Sequence, residues 1–284
     1  MTFVFHLLNY LPLVWLHRIG AAVGWVSWLL SPTYRQTMRR NMVQALGEEG
    51  ERRFRHAAIT NAGMTSLELP RIWLPTVEEA ASLVVAVTGW EAVETAEKDG
   101  KGIIYLTPHL GCFEVTGQYL SIHAPITALY RPPKRPWLQK LVETGRIRKQ
   151  MRLAPADLAG VRLLLKSLKR GEAIAILPDQ APRKGDGKWL DFFGRPAYTM
   201  TLAARLSESG AAVIMMWAER LPGGKGFHLR FQQPMRPIEG TTEERAQQIN
   251  HEIEALIVQC PGQYLWGYNR YKQRRGTSAP VESD

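Results

Sequence analysis

From about residue 83 onward, short apolar runs alternate with stretches of helical texture, and no other feature restricts the fold as strongly. The runs predict strands over 83–87, 102–106, 126–130, 173–177, 212–217 and 228–232. The stretches between them predict helices over 90–98, 112–122, 137–149, 158–169, 200–209 and 242–258. This pattern gives an α/β domain, a mixed sheet flanked by helices, because each helix must bury its apolar stripe against the sheet. Ahead of it, Ser31-Pro32 starts a helical lead-in with apolar residues at helical spacing over 33–46 and 51–73, broken at Gly47 and Pro75. A chain of 284 residues is long enough for one such domain, placed over 33–275, with a small appendage over 1–32 and a disordered tail over 276–284.

The appendage, MTFVFHLLNYLPLVWLHRIGAAVGWVSWLL, is apolar but interrupted by His6, Asn9, His17 and Arg18. Its longest clean run, over 19–30, has twelve residues, short of the ~20 that cross a bilayer as a helix. A span through the whole stretch would carry His17 and Arg18 into hydrocarbon, which is costly. The segment is therefore expected to lie half buried in a membrane surface, where Trp15, Trp25 and Trp28 fit the membrane–water boundary. Arg35, Arg39 and Arg40 follow at once, and positive charge beside an apolar segment marks the cytoplasmic side. A secretory signal is not expected, since neither a basic n-region nor a small-residue cleavage site is evident.

The formal charge of +10 calls for an anionic partner without saying which. Between 131 and 152, eight basic residues (Arg131, Lys134, Arg135, Lys140, Arg146, Arg148, Lys149 and Arg152) stand against one acid, Glu143, so most of the excess is local. Cys112 and Cys260 belong to no CxxC or Cys/His pattern, which argues against a disulfide scaffold and a structural zinc site and fits a reducing compartment.

The segment GIIYLTPHLGCFE, 102–114, runs from an apolar strand through Pro108 into a helix start. Active sites of α/β sheets sit at such carboxyl ends of strands. A spacing of five would set His109 and Glu114 about 140° apart on a regular helix, so they can meet only if His109 precedes the helix. The Glu114 carboxylate could then accept from one imidazole nitrogen and leave the other as a base. A base and its orienter, without a nucleophilic serine, suit activation of a substrate hydroxyl. Taken alone, the pair also fits a structural histidine.

In order along the chain, TPHLGCFE, LYRPPKRPW, ILPDQ, FFGRPAYT and PGQYLWGYNRYK resemble the lipid A biosynthesis lauroyl/myristoyl acyltransferase family, within the lysophospholipid acyltransferase superfamily. The resemblance covers nearly the whole chain. It implies an HX4D/E catalytic motif carried by His109 and Glu114, with transfer of an acyl group from acyl carrier protein to a hydroxyl of a phosphorylated, Kdo-bearing lipid A precursor. It also implies attachment to the cytoplasmic face of a Gram-negative inner membrane, and neither a metal nor an organic cofactor. Both substrates are anionic, in keeping with the basic run, and nucleic acid is not an implied partner.

Arg131 matches the arginine of the family's YRP motif, expected to hold acceptor phosphate or the charge of a tetrahedral intermediate, at the end of a strand neighbouring the one that leads to His109. Arg146 and Arg148 match a second basic pair expected to bind substrate, with solvated helix arginines as the other reading. Asp179 matches an acid at a strand end, expected to orient Arg131 or His109. Many members carry a second acid two residues on, where this chain has Ala181. Phe192 and Phe193 match a block expected to line an acyl groove, core packing being the alternative. The oxyanion would be met by Arg131 or by backbone N–H groups at the helix start. Three other readings stay open: acyl transfer to another glycolipid or a lysophospholipid, a thioesterase, and a non-catalytic basic protein binding membrane or nucleic acid.

Overall fold

A computed structural model describes residues 2–273 and 276–277; the expected tail over 276–284 otherwise lies outside the described residues. Helices α1 (Thr2–Asn9), α2 (Leu13–Leu30) and α3 (Pro32–Leu67) lead into the short α4 (Leu69–Trp73) and α5 (Val77–Ala81). Then β1 (Val84–Thr88), α6 (Trp90–Asp99), β2 (Ile103–Leu106), α7 (Phe113–His123), β3 (Ile126–Tyr130), α8 (Pro136–Arg146), β4 (Met151–Pro155), α9 (Leu158–Lys169) and β5 (Ala173–Ile176) alternate. A hairpin of β6 (Gly187–Phe192) and β7 (Arg195–Met200) precedes α10 (Leu202–Ser207), β8 (Ala212–Arg220), β9 (Phe227–Gln232) and α11 (Thr242–Gln259).

The main sheet has the order β1-β9-β8-β2-β5-β3-β4, parallel throughout except for the antiparallel β8–β9 pair. This is the expected mixed α/β sheet. Its centre, β2 and β5, reads IIYL and AIAI and is buried at every position, as continuous apolar strands covered on both faces must be. One expectation of order fails. The strand before Arg131 does not neighbour the strand before His109, because β5 lies between β2 and β3. Strand order depends on how whole strands pack, which local pattern does not carry.

Two further elements escaped the pattern. β4 lies just past the expected helix over 137–149, where Arg152 interrupts the apolar residues of a short strand. The β6–β7 hairpin occupies a stretch for which no element is expected and, at Met200, the expected helix start. Phe193 and Gly194 both have positive φ, 51° and 69°, as a two-residue primed hairpin turn requires. The expected break at Gly47 appears as a kink inside α3, where that residue takes φ 71° and ψ 174°.

Helix α2 packs along α3 through small residues: a Cβ on Gly63 would collide with the Gly20 carbonyl, and one on Gly24 with the Ile59 carbonyl. Leu13, Leu16, His17, Gly20, Gly24 and Trp28 form its buried stripe, while Trp15, Ile19, Val23, Val26, Leu29 and Leu30 remain exposed. The helix has 18 residues and is long and apolar enough to cross a membrane, yet 33% of it is buried within the protein. His17, one of the interruptions in the apolar run, belongs to that buried stripe.

Candidate active site

Three parallel strands end along one edge of the sheet. Leu106 of β2 pairs with Ile176 of β5, and Ala175 of β5 with Ala128 of β3. The chain leaving β2 carries His109, that leaving β5 carries Asp179, and that leaving β3 carries Arg131. Together with α7 and α8 they border a cleft of about 290 Å³, lined among others by His109, Glu114, Tyr130, Arg131, Arg146 and Gln180. Its apolar wall includes Phe113, Leu129, Met151, Leu177 and Met200.

The turn from β2 into α7 is pinned from several sides. Gly111 has φ +60° and lies so close to the Ala218 carbonyl that a Cβ would collide with it. Cys112 N–H donates to that carbonyl at 2.9 Å, Gly111 N–H to the Gln263 carbonyl at 3.1 Å, and Leu265 N–H to the His109 carbonyl at 3.0 Å. His109 therefore precedes the helix, as expected, and Glu114 sits in its first turn.

The imidazole's carboxylate partner is nevertheless Asp179. His109 Nδ1 is 2.8 Å from Asp179 Oδ1, and its backbone N–H donates to Oδ2 at 3.0 Å. With the Nδ1 proton directed at the carboxylate, Nε2 keeps its lone pair and accepts from the Gln180 side-chain amide at 3.2 Å. Asp179 is buried, which works against its charge, but the His109 contacts outweigh burial and its pKa is lowered.

Glu114 is turned the other way, so the expected His109–Glu114 hydrogen bond is not formed. Its carboxylate accepts two bonds from Arg146, one from Nε at 3.0 Å and one from Nη2, and a third from Trp73 Nε1 at 3.1 Å. Burial opposes the Arg146 cation, but the Glu114 charge and hydrogen bonds prevail and raise its pKa. A bidentate pair of this kind fixes the guanidinium plane at the cleft wall.

The other expected residues separate. Arg131 is exposed at the cleft mouth. Arg148 is neither a solvated helix arginine nor part of the cleft lining: it donates to the carbonyls of Ile72 and Pro75 and, at 2.9 Å, to Gln118 Oε1, tying β4's approach to α4. Phe192 is buried in the core and Phe193 packs against Trp266, so neither lines the cleft. The reason is the hairpin, which turns both rings toward the core. Backbone donors at the helix start are partly committed, since Cys112 N–H already serves Ala218.

Sequence reasoning missed Gln180 and Trp73. Gln180 was readable in ILPDQ as the neighbour of Asp179; Trp73 lay forty-one positions from Glu114 with no local signal. It also missed a buried cluster next to the turn. Glu68 accepts from Arg220 Nε and Nη2, and His17 Nε2 lies 2.6 Å from it; Arg220 also donates to Asn61 and Thr65.

Residues 1–273 match the family described as bacterial lipid A biosynthesis acyltransferase. The lipid A biosynthesis lauroyltransferase of Escherichia coli (strain K12) is 26% identical over 273 residues, 93% of this chain and 87% of that one. A lipid A biosynthesis acyltransferase of Haemophilus influenzae is 24% identical over 279 residues, 95% and 88% of the two chains. The E. coli palmitoleoyltransferase is 26% identical over 192 residues, 66% of this chain and 61% of its own.

Proposed function

The chain belongs to the bacterial lipid A biosynthesis acyltransferase family and is an acyltransferase, and from that premise we propose that it moves an acyl group from acyl carrier protein to a hydroxyl of a Kdo-bearing lipid A precursor. The observation that carries the mechanism is His109, backed by Asp179 on one ring nitrogen and facing an apolar-walled, arginine-rimmed cleft with the other.

The acceptor hydroxyl replaces the Gln180 amide at His109 Nε2, which takes its proton as the oxygen attacks the thioester carbonyl. Asp179 holds the ring and stabilises the imidazolium that forms. The tetrahedral oxyanion is met by the positive end of α7 and by the Arg146 cation that Glu114 fixes in place. Collapse expels the carrier's thiolate, which recovers the proton from His109. Arg131 at the mouth suits an acceptor phosphate, and the exposed apolar face of α2 suits the cytoplasmic face of the inner membrane.

The test is transfer of a labelled acyl chain from acyl carrier protein, in detergent micelles, to lipid A precursors with and without Kdo and to a lysophospholipid. Label is expected on the Kdo-bearing lipid. Label on the lysophospholipid alone overturns the acceptor, and equal transfer from acyl-coenzyme A overturns the donor.

A further inference from the structure

The cleft does not stop at His109. It continues between α7 and the sheet, where the facing side chains are small. Ala175 of β5 and Ala128 of β3 are register partners and so share one sheet face, the face whose apolar cluster includes Val115 and Leu120 of α7, and both alanines line the cleft. Opposite them Gly117, one turn beyond Glu114 on α7, lines it without a side chain. The polar side chains of this stretch have their partners elsewhere. Thr116 Oγ1 donates to the Phe113 carbonyl at 2.7 Å, and Gln118 donates to the Gly145 carbonyl at 3.1 Å while accepting from Arg148 at 2.9 Å. An apolar occupant therefore leaves none of these groups unpaired. Met151 closes the inner end. It opens β4 and pairs with Ile126 at the start of β3, whereas His109 lies past the carboxyl ends of the strands. Its side chain reaches α7, for a Cβ on Gly117 would lie 2.5 Å from Met151 Cε.

We propose that Met151, seated against Gly117, is the stop that sets the length of the acyl chain transferred, an inference that rests on the reading of this cleft as an acyl-transfer site with His109 as its base. With the thioester carbonyl beside His109 Nε2, the chain runs inward over Ala175 and Ala128, and its methyl end meets the Met151 thioether. Methionine is unbranched and adaptable, so it fills the gap left by Gly117 closely. A chain longer than the channel must displace that side chain or carry its own carbonyl out of line with the base, and a misplacement of about 1 Å costs about 10² in rate.

The test offers even-numbered acyl chains from octanoyl to stearoyl in competition, as thioesters of acyl carrier protein and, separately, of coenzyme A, with the Kdo-bearing precursor in detergent micelles. Lipid products are resolved by mass. Their ratios do not depend on how much of a variant is folded. Met151→Ala lengthens the channel and should move the preferred chain up by about two methylenes or more; one methylene in an apolar pocket is worth about 10–200-fold in kcat/KM, so the ratio of the longer product to the parent's preferred one should rise at least about tenfold. Gly117→Ala adds a methyl against the free end of a flexible side chain and should move the preference toward shorter chains. The double variant should return toward the parent ratios. Either single variant, folded and active, that keeps the parent ratios overturns the stop while leaving acyl transfer in place. If the parent protein transfers no chain from either thioester, the acyl-transfer reading fails and the stop falls with it. Gly117→Ala decides the matter if Met151→Ala does not fold.

Discussion

Two histidines in this chain face buried carboxylates at nearly the same distance, and their surroundings differ. His109 lies 2.8 Å from Asp179 and His17 lies 2.6 Å from Glu68. Glu68 is also claimed by Arg220 through two hydrogen bonds, and Arg220 in turn by Asn61 and Thr65, so charge and hydrogen bonds are satisfied within a closed cluster joining α2, α3 and β8. Asp179 takes both the ring and the backbone N–H of His109, and the remaining ring nitrogen is turned to the cleft. A histidine–carboxylate pair is therefore not a site by composition. It becomes one when the second imidazole nitrogen has somewhere to send a proton.

The comparison can be broken most sharply at His109. His109→Ala should cost about 10²–10⁴ in kcat while thermal unfolding stays close to the parent; an active variant would leave the two histidines equivalent. Glu68→Gln should do the reverse. It leaves Arg220 buried with its partner's charge gone, a loss of about 3–5 kcal/mol in denaturant unfolding, with the kcat of the folded fraction retained. The same cluster predicts an acid sensitivity. Burial opposes the Glu68 charge, but Arg220 and then His17 prevail and lower its pKa below the usual value. Its contribution is thus complete above the ordinary glutamate range and is lost as pH falls through the depressed folded value. Unfolding of the parent protein and Glu68→Gln should converge on acidification; a constant gap would mean Glu68 is not held charged.

Glu114→Ala sharpens the distinction from the other side. It spares the His109–Asp179 pair but frees Arg146, and about 10²–10³ in kcat is expected from losing a fixed electrostatic contact. Normal transfer by a folded Glu114→Ala would remove Arg146 from the mechanism. The smallest effect is expected for His17→Ala. Glu68 keeps Arg220, so stability should fall by about 1–3 kcal/mol and transfer by the folded protein should be unchanged.

Much of the fold was legible because periodicity and burial are local properties. The six expected strands lie within a few residues of β1, β2, β3, β5, β8 and β9, and the break at Gly47 became a kink. His109 was legible as a base candidate because a strand running through Thr107 and Pro108 into a helix must expose its turn. The basic run shows the limit. As sequence it is one block of charge. In the structure Arg146 goes to Glu114 and Arg148 to the Ile72 and Pro75 carbonyls, Lys149 and Arg152 pair at the surface with Glu78 and Glu172, and Arg131, Lys134, Arg135 and Lys140 are exposed.

By itself, then, the sequence determined the alternating α/β pattern, the apolar helix at the N-terminus, and a histidine at the end of a central strand. The tertiary structure decided that Asp179, seventy positions away, and not Glu114, five away, meets that histidine. It also decided that Phe192 belongs to the core. The reason is physical: a strand's own residues fix that it is a strand and which positions are buried, but which strand lies beside it depends on how all the helices and strands pack, and β5 came to lie between β2 and β3.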